Sequence, residues 1–429
     1  MIQPLGSLRG EWLVYWHDFD EPVFGMGGAF LPTLVLVANG QVGGLLCPPL
    51  VLEELDQPRV ENMLLRLFDH WGAPERLIVR ASEDWNEEAW REFSSEQKVE
   101  MCFQPMNPKS VAALVKGFLS SIERNFFREA GGEKAALAAQ LVESALRLSS
   151  STKRRAVLRK ALYLDTECSA ARVELADMDF HEGNWSQSLK GYEETIRREA
   201  PRWSGVGGVK WWLDRETRPY LRALYGRALV IWQEGRYAEA AGQLRELLEM
   251  NPVDNQGARF FLPLLFLLAE DLGTASRSYR EYEEKYPNDY PEPGFLFGWG
   301  LCNGLEGDEM GARRRYREAI CRNIYIAPLL LDELMPERGI WMPNERAEPG
   351  YAQEFYNSYA ALWDREAGLL RILREVWDEM RPWVRAIVGH RGMMLDWLDQ
   401  RYEPEFKARW QELLDEDDRL VDRGCSGSF

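Results

Sequence analysis

Apolar and polar residues follow three successive rhythms along this chain, and each rhythm predicts its own kind of structure. From Trp12 to Phe103, short apolar runs alternate with amphipathic stretches. Trp12–Phe19 (WLVYWHDF), Thr33–Ala38 (TLVLVA) and Gln41–Cys47 (QVGGLLC) read as strands, and the Asn39-Gly40 pair between the last two tolerates the positive φ that a tight hairpin needs. The period then lengthens. Over Leu52–Trp71 the residues Val60, Met63, Leu64, Leu67, Phe68 and Trp71 share one helical face, and Gly72 and Pro74 stop it. Leu77–Arg80 and Val99–Phe103 predict strands, Asp84–Phe93 a helix with Asp84 as its N-cap, and Ser110–Phe127 a longer helix. The order is β-β-β-α-β-α-β-α, an α/β domain over residues 1–130.

Beyond Ala135 the pattern is helical only, and it repeats. Its clearest copy is Leu224–Pro252, where Ala228, Gly235, Tyr237, Ala240, Leu244, Leu248 and Pro252 fall at offsets that resemble the tetratricopeptide (TPR) signature, a repeat of about 34 residues. Small residues at 228 and 240 let two antiparallel helices approach closely, Gly235 turns the chain and Pro252 stops the second helix. Four weaker copies accompany it. Ala135–Leu164 carries Ala161 and Leu162, and Arg172–Ala200 carries Ala176, Gly183, Trp185 and Tyr192. Leu262 to Pro287 carries Ala275 and Tyr279, and Leu296 to Ile320 carries Gly300, Gly307 and Ala312. A glycine-rich insert, Pro201–Pro219, with the pair Trp211-Trp212, separates the second copy from the third. One hairpin cannot bury its own apolar faces, whereas a stack can. Residues 131–336 are therefore expected to form a TPR-like helical solenoid.

Glu337–Gly350 reads as a boundary loop, followed by helices at about Ala352–Leu362, Ala367–Val388 and Glu405–Asp422, with a frayed CSGSF end. This block, 337–429, is placed to cap the last apolar face of the solenoid. The fold class expected is thus α+β multidomain: an N-terminal α/β domain, an all-α solenoid and a helical C-terminal cap.

The N-terminal order resembles the ribonuclease-H-like fold, a three-stranded meander followed by alternating helices and strands. It is also similar to an uncharacterised bacterial N-terminal domain whose second strand ends in an Asp and a Thr-Gly turn. Here Leu34-Val35-Leu36-Val37-Ala38-Asn39-Gly40 keeps the run and the turn but not the carboxylate. The resemblance implies a two-metal nuclease as one candidate function, with Asp18, Asp20, Glu61, Glu83 and Asp84 as the carboxylates available to hold magnesium. The competing reading has Asp84 capping a helix and the others solvated.

Composition narrows the choice. Across 429 residues the formal charge is −17, which disfavours nucleic-acid and anionic-membrane binding because phosphate contacts need clustered Lys and Arg. The basic runs Lys153-Arg154-Arg155 and Arg313-Arg314-Arg315 fall on expected helices, where acidic neighbours at i±3 and i±4 are available to pair with them. Four dispersed histidines and six cysteines without a CxxC pair signal neither a metal centre nor a disulfide framework, and no Walker-type, GxSxG or HExxH motif is present. The longest apolar run, Phe260–Ala269, is half the roughly 20 residues that a membrane span requires. With no secretory leader in MIQPLGSLRGEW, a cytoplasmic location is expected, with no cofactor, metal, nucleic acid or membrane among the partners.

The leading expectation is a non-enzymatic scaffold that grips a peptide or protein segment in the concave face of the repeats. In TPR proteins the first helix of each hairpin lines that face. The resemblance puts Arg222, Tyr225 and Trp232 there in the third repeat, Phe260 in the fourth and Phe297 in the fifth, with Trp211 and Trp212 of the insert as further contacts. Trp71, Trp185 and Trp299 sit instead at core-like helical positions. A groove filled by the protein's own first domain or C-terminal block, and a structural subunit of a permanent complex, are the alternatives.

Overall fold

The computed structural model describes residues 10–19, 22–25, 27–40, 45–105, 134–206, 208–364, 367–401 and 405–427. The chain divides into two compact units, 1–206 and 207–429.

The first unit opens with β1 (Glu11–Asp18), β2 (Val23–Gly25), β3 (Gly28–Phe30), β4 (Thr33–Asn39) and β5 (Leu50–Leu52). It continues with α1 (Gln57–Trp71), β6 (Arg76–Arg80), α2 (Glu87–Gln97) and β7 (Glu100–Gln104). The five longer-range strands form one sheet in the order β5-β4-β1-β6-β7. β4 runs antiparallel to β1 and β5, while β6 is parallel to β1 and β7. Register puts Val14 beside both Val37 and Val79, and Trp12 beside Leu77, so alternate residues build one apolar face. Val60, Leu64 and Leu67 of α1 and Trp90 and Phe93 of α2 cover it.

Several boundaries differ from expectation. The third strand is not at Gln41–Cys47: residues 41–44 lie outside those described, Leu45 makes only an isolated bridge to Ala38, and pairing resumes at Leu50–Leu52. Pro48 and Pro49 lack the N–H groups a ladder needs, which delays the strand. The small β2-β3 hairpin was hidden by its three-residue strands and its glycines, Gly28 having φ 105°. Asp84 does not cap α2. Asn86 does, accepting from Glu88 and Ala89 backbone N–H, while Asp84 is held in a local turn with Ser82. The helix expected over Ser110–Phe127 lies outside the described residues.

The same unit continues with α3 (Lys134–Ala145), α4 (Ser151–Leu164), α5 (Ser169–His181) and α6 (Trp185–Trp203), two antiparallel hairpins. Ala138, Ala145, Ala161 and Ala171 are fully buried in their core, and the small side chains permit close crossings. A Cβ on Gly191 would lie 2.8 Å from that of Ala176. Pro201 sits inside the last turn of α6 rather than ending it, and Trp185 is exposed rather than core.

The second unit contains α7 (Arg218–Gln233), α8 (Tyr237–Met250), α9 (Ala258–Leu268), α10 (Leu272–Lys285), α11 (Pro293–Leu305) and α12 (Glu309–Arg322). These are three more hairpins, so the helical part is TPR-like as its spacing predicts. Short α13 (Ile326–Leu330), then α14 (Pro349–Tyr359), α15 (Ala367–Leu398) and α16 (Phe406–Ser426), complete it. Ala228 and Ala240 are buried at their crossing, and Gly183, Gly235 and Gly307 take left-handed turns between paired helices. α15 runs well past Val388. One apolar core joins all three hairpins to α14 and α15.

Candidate partner-binding surface

Of the candidate carboxylates, Asp18, Glu61 and Asp84 each have a hydrogen-bonding partner. The Asp18 carboxylate, at the end of β1, accepts the Lys153 ammonium at 2.5 Å and the Thr33 hydroxyl at 2.5 Å, and Lys153 also donates to the Thr33 oxygen at 3.0 Å. Lys153 itself is 6% exposed, so the first turns of α4 deliver a desolvated cation to the strand end. Glu61 accepts from Gln57, and Asp84 from Ser82. Asp20 lies outside the described residues. Among the described residues no cluster of three His, Cys, Asp or Glu is arranged to hold a metal ion.

The basic runs find acidic partners, mostly on other helices rather than at i±3 or i±4. Arg155 pairs with Asp179 and Glu182, Arg313 with Glu375 and Glu379, Arg315 with Glu283, and Arg317 with Glu379. Such cross-helix pairs brace neighbouring helices and are spent within the fold.

The first-helix residues divide sharply. Phe297 is completely buried between Tyr316 and Phe355, and Phe260 packs into Tyr282 and Phe295; both are core side chains, which corrects their assignment to an open groove. The reason is coverage. Phe260 is roofed by the next hairpin, and Phe297 by α14 of the C-terminal block. Glycine at 294 permits that approach, since a Cβ there would lie 2.6 Å from the Phe355 ring, and the Tyr351 hydroxyl accepts from the Gly294 N–H.

Tyr225 and Trp232, on α7, remain half-buried and are brought together with Phe261 of α9: ring centroids are 6.4 Å apart for Tyr225 and Phe261 and 6.3 Å for Trp232 and Phe261. Tyr359, the last residue of α14, stacks on Trp232 at 5.5 Å and 15°. Burial, with Asp254 and Glu292 nearby, pushes the Tyr225 phenol well above its usual range, so it stays a neutral donor. Arg222 lies half-buried one turn earlier on α7. Phe261 and Tyr359 were not foreseen. Phe261 is one residue from Phe260, and a single step of about 100° around the helix separates core from face; no local signal tells the two apart.

The described residues of the insert are held by side-chain contacts. Trp211 packs on Tyr220, and Trp212, at φ 66°, receives a hydrogen bond on its carbonyl from Arg218, whose guanidinium also sits over its ring. Both tryptophans are half-buried against the core of the second unit.

No protein-family model matches the chain, and no curated protein matches it. Among solved structures it is similar to YrrB, described as a TPR protein with an unusual peptide-binding site, at 17% identity over 47% of this chain and 90% of that one, with a TM-score of 0.33. It is also similar to MamA from Desulfovibrio magneticus RS-1, at 15% identity over 44% of this chain and 96% of that one, with a TM-score of 0.35. No helix among the described residues is long and apolar enough to cross a membrane.

Proposed function

We propose that this protein is a non-enzymatic interaction scaffold that holds a peptide or protein segment on the first-helix face of its TPR-like repeats. The observation that carries the reading is the half-buried aromatic patch of Tyr225, Trp232 and Phe261, with Arg222 one turn before Tyr225 on the same helix; Trp211 and Trp212 of the insert are proposed as further contacts. Large aromatics offer contact area at little entropic expense, and a neutral tyrosine hydroxyl and a guanidinium supply donors to a peptide backbone. We read residues 1–130 as a ribonuclease-H-like domain used for structure rather than catalysis, residues 131–336 as repeats and 337–429 as their cap; the sheet order, an antiparallel meander extended by two parallel strands, supports the first of these folds. The engagement of Asp18 by Lys153 favours this over a metal-dependent nuclease, since the ammonium already neutralises the carboxylate that a magnesium ion would need. The proposed location is cytoplasmic and the proposed partners are proteins.

The test is affinity capture from the source cell with the native chain and with the double variant Tyr225→Ala, Trp232→Ala, each checked by thermal melting. Loss of a captured protein by tenfold or more, on the order of 1.4 kcal/mol, with a cooperative melt retained is the expected result. Undiminished capture would move the site elsewhere. An unfolded variant would make the patch core, and the groove one filled by the protein's own α14.

A further inference from the structure

We propose that Cys321 and Cys425 are a reversible thiol pair, and that their oxidation to a disulfide locks α16 onto α12. The two lie far apart in sequence, and the fold brings them together. Cys321, near the end of α12, is 2% exposed, while Cys425, in the last turn of α16, is exposed. Glycine at 424 makes the approach possible: a Cβ there would stand 2.6 Å from the Cys321 sulfur and 2.7 Å from the Trp383 ring. Cys425 is the next residue of that turn, which brings its thiol near enough to Cys321 for the two to interact.

The pairing is held in place by independent contacts. The Trp383 indole donates to the Leu420 carbonyl at 2.7 Å, and Arg391 grips the Asp417 carboxylate with two bonds of 2.8 and 3.0 Å, both side chains buried. These anchors join α15 to α16, so the C-terminal turn of α16 is registered before any crosslink forms. Cys47 and Cys102 have other neighbours, Met63 and Gln104.

The environments assign the roles. Cys425 is reached by solvent, and its interaction with the neighbouring Cys321 thiol holds it below the usual range; burial pushes the Cys321 thiol far up. With hydrogen peroxide as oxidant, the Cys425 thiolate attacks one peroxide oxygen, the O–O bond breaks and hydroxide leaves, giving a sulfenic acid. The Cys321 sulfur, losing its proton, then attacks the Cys425 sulfur; the S–O bond breaks and water leaves. In sum two thiols give up two electrons and two protons, and the peroxide becomes two waters. A dithiol reductant reverses the change by exchange. The closed loop spans the whole C-terminal block, so the crosslink restrains that block against unfolding.

The full chain is treated with hydrogen peroxide or with dithiothreitol, then digested with trypsin under non-reducing conditions. The expected product is Glu318–Arg322 joined to Gly424–Phe429, lighter by two hydrogens than the separate peptides, with a raised melting midpoint that dithiothreitol restores. Cys425→Ser should abolish both, whereas Cys102→Ser should keep both. Oxidation of Cys425 to the sulfinic acid without the joined peptide, or a disulfide between two copies of the chain, would overturn the proposal.

Discussion

Lys153 shows what a single residue does here. Its side chain is buried at the start of α4 while its ammonium reaches Asp18 and Thr33 of the sheet, so one side chain ties the repeats to the strand end inside the first unit. A cation so desolvated is tolerable only because its partners are placed to receive it. Replacing it with the similarly sized Met leaves the half-exposed Asp18 carboxylate without its counter-charge. Lys153→Met should therefore lower stability to urea by about 1–3 kcal/mol. Adding Asp18→Asn should recover much of that, because removing both partners strands no charge. Additive losses in the two single variants would mean that the pair contributes no coupling.

At the scale of elements, the turns of the four hairpins from α5-α6 to α11-α12 repeat one device. The chain leaves the first helix through a left-handed residue, which is Gly183, Gly235 and Gly307 in three hairpins, with φ of 77°, 76° and 82°. The α9-α10 hairpin uses Glu270 at φ 63° instead. A side chain there crowds the following carbonyl, a strain of roughly 1–2 kcal/mol that glycine avoids. Glu270→Gly should thus raise the melting midpoint, even after the extra entropy glycine brings to the unfolded chain. Gly235→Glu should lower it. A drop in the first variant would show that the contacts of the Glu270 side chain outweigh its backbone strain.

The whole second unit behaves as one core rather than as hairpins with an optional cap. Phe297 is sealed by Phe355, and the Trp363 indole donates to the Tyr316 hydroxyl at 3.2 Å, so the last hairpin and the C-terminal block are each other's interior. A fragment of residues 207–429 should melt cooperatively by far-ultraviolet circular dichroism. A fragment ending at 336 should lose that cooperativity and bind the dye ANS, having exposed the Phe297 and Tyr316 surfaces. Equal cooperativity in both fragments would mean that the repeats close without the block.

Much of this was decided by local rules that sequence carries openly. The helical hairpins follow from Ala, Gly and aromatic residues recurring at a helical period, and the strand alternation from runs such as TLVLVA flanked by turn residues. These depend on neighbours within a few positions, and those neighbours are written in order along the chain. What tertiary structure alone decided is which faces are covered. Tyr225, Phe260 and Phe297 look alike as aromatics on first helices, yet one is half-buried and two are core, because the roof over each comes from elements such as α10, α11 and α14 that local spacing does not position. The same holds for Asp18, whose part is set by a lysine 135 residues away, and for the meeting of Cys321 with Cys425. Burial is a property of the assembled stack, and a side chain's role as surface or interior is settled only when distant helices close over it.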